Sequence, residues 1–228
     1  MKSLKALVAG AAFAAGSAQA QLLAPPPPRA DVLMRSLTAE VTDILKSDLA
    51  AGRRTDVAAL VEAKIGPVVD FTRMTRIAVA RNWRLASPEQ QAELVAQFRT
   101  LLVRTYSRAL SDYQDPEIDY KPPREPAGDT EVVVRSTVRR GGAPPLSIDY
   151  EMADDALAGW QVYDVKVEGV SLVLNYRESF AALVRADGID GLIKALAERN
   201  RRNAEGAGAA RLAPVLSLLM LYSGGRRQ

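Results

Sequence analysis

The sequence predicts an α+β domain in which an antiparallel four-stranded meander sheet packs against several helices. Three observations carry that prediction. Apolar residues recur at spacings of three and four from Asp31 to about Tyr113, alternate between Ile118 and Glu168, and return to helical spacing after Gly169. Short turns rich in Pro, Gly and Asp join the alternating runs, which is the pattern of a meander. Helices, then strands, then helices is the order of a domain whose helices cover one face of an antiparallel sheet.

Ahead of the first helix, Pro25 to Pro28 form an extended spacer without amide donors, and residues 21–30 read as a linker. Val32, Leu33, Leu37, Val41, Ile44, Leu45 and Leu49 supply the first helical stripe, and Gly52 stops it. Thr55 or Asp56 can cap a second helix through Val57, Leu60, Val61 and Ile65, up to Gly66-Pro67. A third, from about Val68 to Arg81, carries Phe71, Met74, Ile77 and Ala78 on one side. The fourth opens with "SPEQ". Ser87 suits the N-cap, Pro88 the first helical position, and Gln90 completes a capping box. Its stripe runs through Leu94, Phe98, Leu101, Leu102, Thr105, Tyr106, Ala109, Leu110 and Tyr113, and Asp115-Pro116 ends it.

The period then becomes two. Ile118 and Tyr120 mark the first strand, and Val132, Val134 and Val138 mark the second, between residues 131 and 139. "RRGGAPP" reads as a turn. Leu146, Ile148, Tyr150 and Met152 mark the third strand, "ADDALAG" a further turn, and Trp160 to Glu168 the fourth strand. Within that last strand Val165 and Val167 suit an interior, yet Trp160 and Val162 share the parity of Asp164 and Lys166. Gly169 opens a helix with Val170, Val173, Leu174, Tyr176, Phe180, Leu183 and Val184. "DGIDG" breaks it, and a short helix from Leu192 to Arg199 closes the domain.

Lys2 and Lys5 precede an uncharged apolar run, followed by Ala18-Gln19-Ala20, so residues 1–20 read as a secretory signal peptide cut after Ala20. The run is shorter than the roughly 20 residues that span a bilayer. The expected destination is the periplasm. The absence of cysteine excludes a lipidated cysteine and any disulfide. The net charge of +3 falls to +1 once the two leader lysines are set aside. Residues 199–228 carry six arginines against Glu205, a net of +5, so the body is close to −4. The basic character therefore sits in the tail, which reads as disordered around an apolar stretch from Leu212 to Tyr222. An acidic body argues against nucleic acid as a partner.

Zero histidine excludes Ser-His-Asp and Cys-His triads. Zero histidine together with zero cysteine excludes the common zinc and blue-copper sites. We therefore expect no enzyme, no metal and no cofactor. A carboxylate-pair hydrolase would need two acids facing one cleft. The acid-rich places are Asp115-Glu117-Asp119, Asp149-Glu151 and Asp154-Asp155, and their alternation suits the solvent face of strands. "DPEIDY" fails as a calcium loop, with Tyr120 where glycine is required and Pro126 where a bidentate glutamate is required.

The order of motifs nevertheless points further. The capped helix with Tyr106, the W-x-V-Y-D strand from Trp160, "EGVSL", the N-Y-R-x-S-F segment ending at Phe180, and "GIDGL" resemble the MlaC/toluene-tolerance family over residues 31–198. Members of that family are periplasmic phospholipid carriers. The resemblance implies an apolar ligand cavity between sheet and helices, with bound phospholipid as cargo. The implied lining is Phe98, Leu102 and Tyr106 on the long helix; Val132, Val134, Ile148, Tyr150, Val165 and Val167 on the sheet; and Val170, Val173, Leu174 and Phe180 beyond it. It also implies a monomer that exchanges lipid with an inner-membrane ABC transporter bearing a ring of MCE domains and with an outer-membrane lipoprotein–porin complex. Periodicity alone leaves open a ligand-free periplasmic interaction module with a filled core, and the resemblance itself leaves open the hopanoid-associated branch of the family, a carrier of another lipid.

Overall fold

The computed structural model describes residues 29–205 apart from 112–116, 125, 127, 141 and 142. The leader, the proline spacer, Tyr113 and the apolar stretch at 212–222 lie outside the described residues, as do the side chains of Ala109 and Leu110. Four helices precede the sheet: α1 (Ala30–Ala50), α2 (Val57–Leu60), α3 (Phe71–Val79) and α4 (Pro88–Ser111); α5 (Arg177–Ala204) follows it. A π turn (Val61–Ile65) and a 3-10 turn (Gly66–Val68) extend α2, and a 3-10 segment (Ala80–Leu85) joins α3 to α4.

The helix starts are built as their residues specify. Ala59 N donates to the Asp56 carboxylate at 3.1 Å, and Arg73 N donates to that of Asp70 at 2.7 Å. At α4 the capping box is reciprocal. Gln90 N donates to Ser87 Oγ at 3.2 Å, and Ser87 N donates to Gln90 Oε1 at 3.0 Å. The third helix is shorter than expected, because Ala80 leaves helical geometry at φ 56°, ψ −131°.

The sheet has five strands rather than four: β1 (Glu117–Tyr120), β2 (Glu131–Arg140), β3 (Ala143–Asp155), β4 (Gly159–Val167) and β5 (Val170–Ser171), in that spatial order and all antiparallel. Gly169 does not open a helix. Glu168 and Gly169 both take positive φ, 51° and 77°, while Val167 pairs with Val170 across them. Two successive left-handed residues make the tight turn that matches strand twist. A two-residue strand is too short to show a period, and helical spacing resumes only after the 3-10 turn Leu174–Tyr176. Pro144 and Pro145 belong to β3, not to a turn. They lie where β3 pairs only with β2, because pairing with β4 begins at Ile148, so their missing amides cost no bond to β4.

A bulge removes the parity conflict in β4. Met152 pairs with Val162 but Glu151 pairs with Asp164, which leaves Tyr163 unmatched. The extra residue puts Trp160 and Val162 on the same face as Val165 and Val167. That face carries the main core together with Val134 and Met152. Helix α5 is broken at Gly188 (φ 69°, ψ −170°), within the predicted "DGIDG" break, but its second part continues to Ala204. Buried Asn200 donates from Nδ2 to the carbonyl and the side chain of Gln97, both at 2.8 Å, and Arg104 donates to the Asn200 carbonyl at 2.6 Å. Residues 199–204 thus belong to the fold, and the expected tail boundary at 199 falls too early.

Ser87→Ala removes one half of the capping box. We expect a loss of about 1 kcal/mol in chemical denaturation, seen as a lower midpoint with an unchanged slope.

Candidate functional site

A one-sided amphipathic sheet must cover its apolar face. Here α3, α4, α5 and the segment after β5 do so. At the centre Phe98 of α4 meets Tyr176 and Phe180 edge-on, with ring centroids 5.1 and 5.3 Å away, and Tyr176 lies 5.4 Å from Phe180. Edge-to-face pairs of this kind add to simple burial.

Cover over the sheet is uneven. Phe98, Met152, Val173 and Leu192 are sealed from solvent. Val132, Tyr150, Trp160 and Val165 face the same core yet remain only half-buried. An inward apolar side chain that stays accessible marks incomplete packing. Helix α1 borders this region and is tied to the sheet edge through Tyr120. The Tyr120 phenol lies 2.5 Å from Thr38 Oγ1 and donates to the Met34 carbonyl at 3.2 Å, while Arg35 donates to the Tyr120 carbonyl at 2.9 Å.

A polar junction sits behind the aromatic cluster. Asp164 is only 3% exposed. Ser171 Oγ donates to its carboxylate at 2.5 Å, Val165 N at 2.8 Å and Val173 N at 3.3 Å; Leu174 N in turn donates to Ser171 Oγ at 2.9 Å. Burial raises the Asp164 pKa against the pull of these donors. Burial also pushes the Tyr106 phenol well above its ordinary range, reinforced by neighbouring Tyr176, and raises Tyr176 itself against the opposing charge of Arg199. The buried hydroxyls of Tyr106 and Tyr176 are neighbours, and among the described residues neither makes a hydrogen bond of good geometry to a third group. The arrangement sets an incompletely covered apolar sheet face near two buried phenols.

The structure gathers Phe98, Leu102, Val134, Val173 and Phe180 in the main core, with Tyr106, Val132, Tyr150 and Val165 packed against it. Val167 and Ile148 belong to a smaller cluster with Val138 and Leu146 farther along the same face. Val170 and Leu174 do not join either group. They are 40% and 44% exposed, because the Glu168–Gly169 turn makes a hairpin where a helix was expected. The residues singled out from the sequence omit two buried ones of this core: Met152, which continues the inward alternation of Ile148 and Tyr150, and Val162, whose inward face depends on the bulge. They omit Tyr176 and Asp164 as well, because a motif shows a residue's presence, not its partners. Asp164 is the sole buried acid among the described residues. Glu117, Asp119, Asp154 and Asp155 are exposed, and Glu151 pairs with Lys166. Among the described residues, no three acidic side chains converge on a metal-sized site.

The raised Asp164 pKa fixes a sign. Native Asp164 takes up its proton at a higher pH than the unfolded chain, whose ordinary value is 3.8. Its contribution to stability therefore grows as pH falls towards that value and is lost as pH rises through the native pKa. Asp164→Asn should abolish this component. The stability difference between the two proteins, measured by denaturation from neutral to mildly acidic pH, should shift in favour of the wild type as pH falls. A flat difference would contradict it.

Among the described residues, no helix is long and apolar enough to cross a membrane. A solved structure of the phospholipid-binding protein of Ralstonia solanacearum in complex with a phospholipid matches with a TM-score of 0.69 and 39% identity, over 77% of this chain and 98% of that one. The intermembrane phospholipid transport system binding protein MlaC of Haemophilus influenzae is 22% identical over 69% of this chain and 77% of its own length. The toluene tolerance protein ttg2D of Pseudomonas putida is 27% identical over 55% of this chain and 58% of its own length. The family model for the MlaC protein matches residues 35–198, most of the described fold, and the chain belongs to that family.

Proposed function

We propose that the protein is a periplasmic phospholipid carrier that moves lipid between the outer and inner membranes and so maintains outer-membrane lipid asymmetry. The observation that supports this most is the match to a protein solved with a phospholipid bound, which spans nearly all of that chain. The half-covered inner face at Val132, Tyr150, Trp160 and Val165 gives acyl chains an apolar wall. The signal-peptide pattern of residues 1–20 supports the compartment.

Energetics define the mechanism. Burying a methylene is worth about 0.8 kcal/mol, so two long chains are held against water by on the order of 20 kcal/mol. Release into water is then extremely slow. Transfer from one apolar shelter to another has almost no net hydrophobic cost. Exchange therefore takes place on docking, and direction comes from the partners' relative affinities or from ATP used elsewhere. An inner-membrane ABC transporter with an MCE-domain ring and an outer-membrane lipoprotein–porin complex are the proposed partners. The carrier has only to hold and hand over, which fits a chain without histidine or cysteine nucleophiles.

Mass spectrometry of an organic extract of the purified protein should show stoichiometric phospholipid, and the species found identifies the cargo. Extracts free of lipid, from protein never exposed to detergent, would overturn the reading. Val165→Trp, which fills the half-covered wall, should lower co-purifying lipid several-fold while the circular dichroism spectrum stays that of the wild type.

A further inference from the structure

The carrier reading leaves one surface unused. From Phe71 to Pro88 the chain has four arginines and no acid. Arg73 is engaged. It pairs with Glu131 at 2.7 Å and lies 3.6 Å above the Tyr163 ring. The other three come together. Arg76, Arg81 and Arg84 line a surface depression of about 490 Å³ with Ala80 and Trp83. Among the described residues, no hydrogen bond or ion pair engages these three guanidinium groups. Ala80 breaks the helical path at φ 56°, ψ −131°, and Arg76, on the last turn of α3, lines the same depression as the arginines of the following 3-10 segment.

Two apolar side chains accompany the charge. Leu85 is 69% exposed at the end of the segment, and Trp83 is half-buried, packed against the main core on one side and lining the depression on the other. Close by, Arg177 donates to the Ile77 carbonyl at 3.4 and 3.3 Å from its two nitrogens, which adds a fourth positive charge to this side of α3. Guanidinium forks match phosphate oxygens bidentately. Tryptophan and an exposed leucine beside arginines are the combination that settles at the boundary between head groups and acyl chains. An acidic protein surface would satisfy the arginines but not the exposed leucine.

We propose that the Arg76–Arg81–Arg84 depression, with Trp83 and Leu85, is a docking surface for the anionic phospholipid head groups of a membrane. The choice of occupant rests on the carrier reading. The site is separate from the acyl-chain interior, since its arginines point to solvent.

The test is flotation of the purified protein with vesicles of phosphatidylcholine alone and with vesicles of phosphatidylcholine mixed with phosphatidylglycerol. The wild type should float with the mixed vesicles, not with the neutral ones, and the binding should weaken with salt. The triple variant Arg76→Gln, Arg81→Gln, Arg84→Gln should lose on the order of 100-fold in partitioning, from roughly fivefold per basic residue near an anionic surface. Leu85→Ser should weaken binding without altering its salt dependence. A control removing equal charge elsewhere, Arg54→Gln, Arg201→Gln, Arg202→Gln, should bind as the wild type does. Equal loss in the control would assign binding to net charge and overturn the proposal, as would a wild type that ignores anionic vesicles. Organic extracts of the same preparations separate the two readings. Bound phospholipid without flotation sinks the surface and leaves the carrier. Arginine-dependent flotation without bound phospholipid sinks the carrier and leaves the surface.

Discussion

The interior depends on a buried carboxylate that must be satisfied. Stripped of water, Asp164 would be costly if unpaired. Its donors come from β4, from Ser171 of β5 and from Val173 beyond the sheet. To satisfy Asp164 the chain has to double back after Gly169 and deliver Val173 inward. Once that reversal is fixed, the 3-10 turn Leu174–Tyr176 brings Tyr176 against Phe98, and the first turn of α5 brings Phe180 to the same ring. One ionisable group thus sets the direction in which α5 leaves the sheet. It also sets the floor on which α4 and α5 close.

That dependence explains which parts of the fold could be read directly. Local devices were legible. Ser87 and Gln90 announce the start of α4, Asp56 announces α2, and the glycines of "DGIDG" announce the break at Gly188, because each works through neighbours a few residues away. The bulge at Tyr163 was not legible. It is a property of two strands in register, and a single strand shows only a conflict between Trp160 and Val165. The fifth strand was lost for a similar reason. Val170 and Leu174 carry helical spacing, but the left-handed pair Glu168–Gly169 turns them to solvent. Alternation and helical stripes report burial, and nine of the residues singled out from them do lie in or against the main core. The stripes could not tell the main core from the smaller cluster around Val138 and Leu146.

The inner face shows how a protein can be folded and still receptive. Sealing every apolar residue would give a tighter core with no room for cargo, and leaving the whole face bare would invite aggregation. Here the aromatic cluster and Leu94, Leu101 and Leu192 are fully buried and hold α4 and α5 on the sheet. Val132, Tyr150, Trp160 and Val165 form the less covered part of that face, while α1, which packs on β2, is fastened both by the buried Ala30 and Met34 and by hydrogen bonds around Tyr120. Hydrogen bonds to one residue can be remade after a shift, whereas close-packed aromatic rings admit few alternative arrangements.

Trp83 belongs to both the interior and the arginine-lined surface. Its ring packs on the main core and also walls the depression formed with Arg76, Arg81 and Arg84. Close-packed interiors transmit displacement, because an atom that moves leaves its neighbours either strained or without contacts. A head group seated among these arginines would bear on the segment that packs against α3 and α5. A change of packing beneath it reaches the surface by the same ring. Any influence passes both ways with one coupling free energy, so an occupant that favours the loosened interior is itself bound more tightly when the interior is loose.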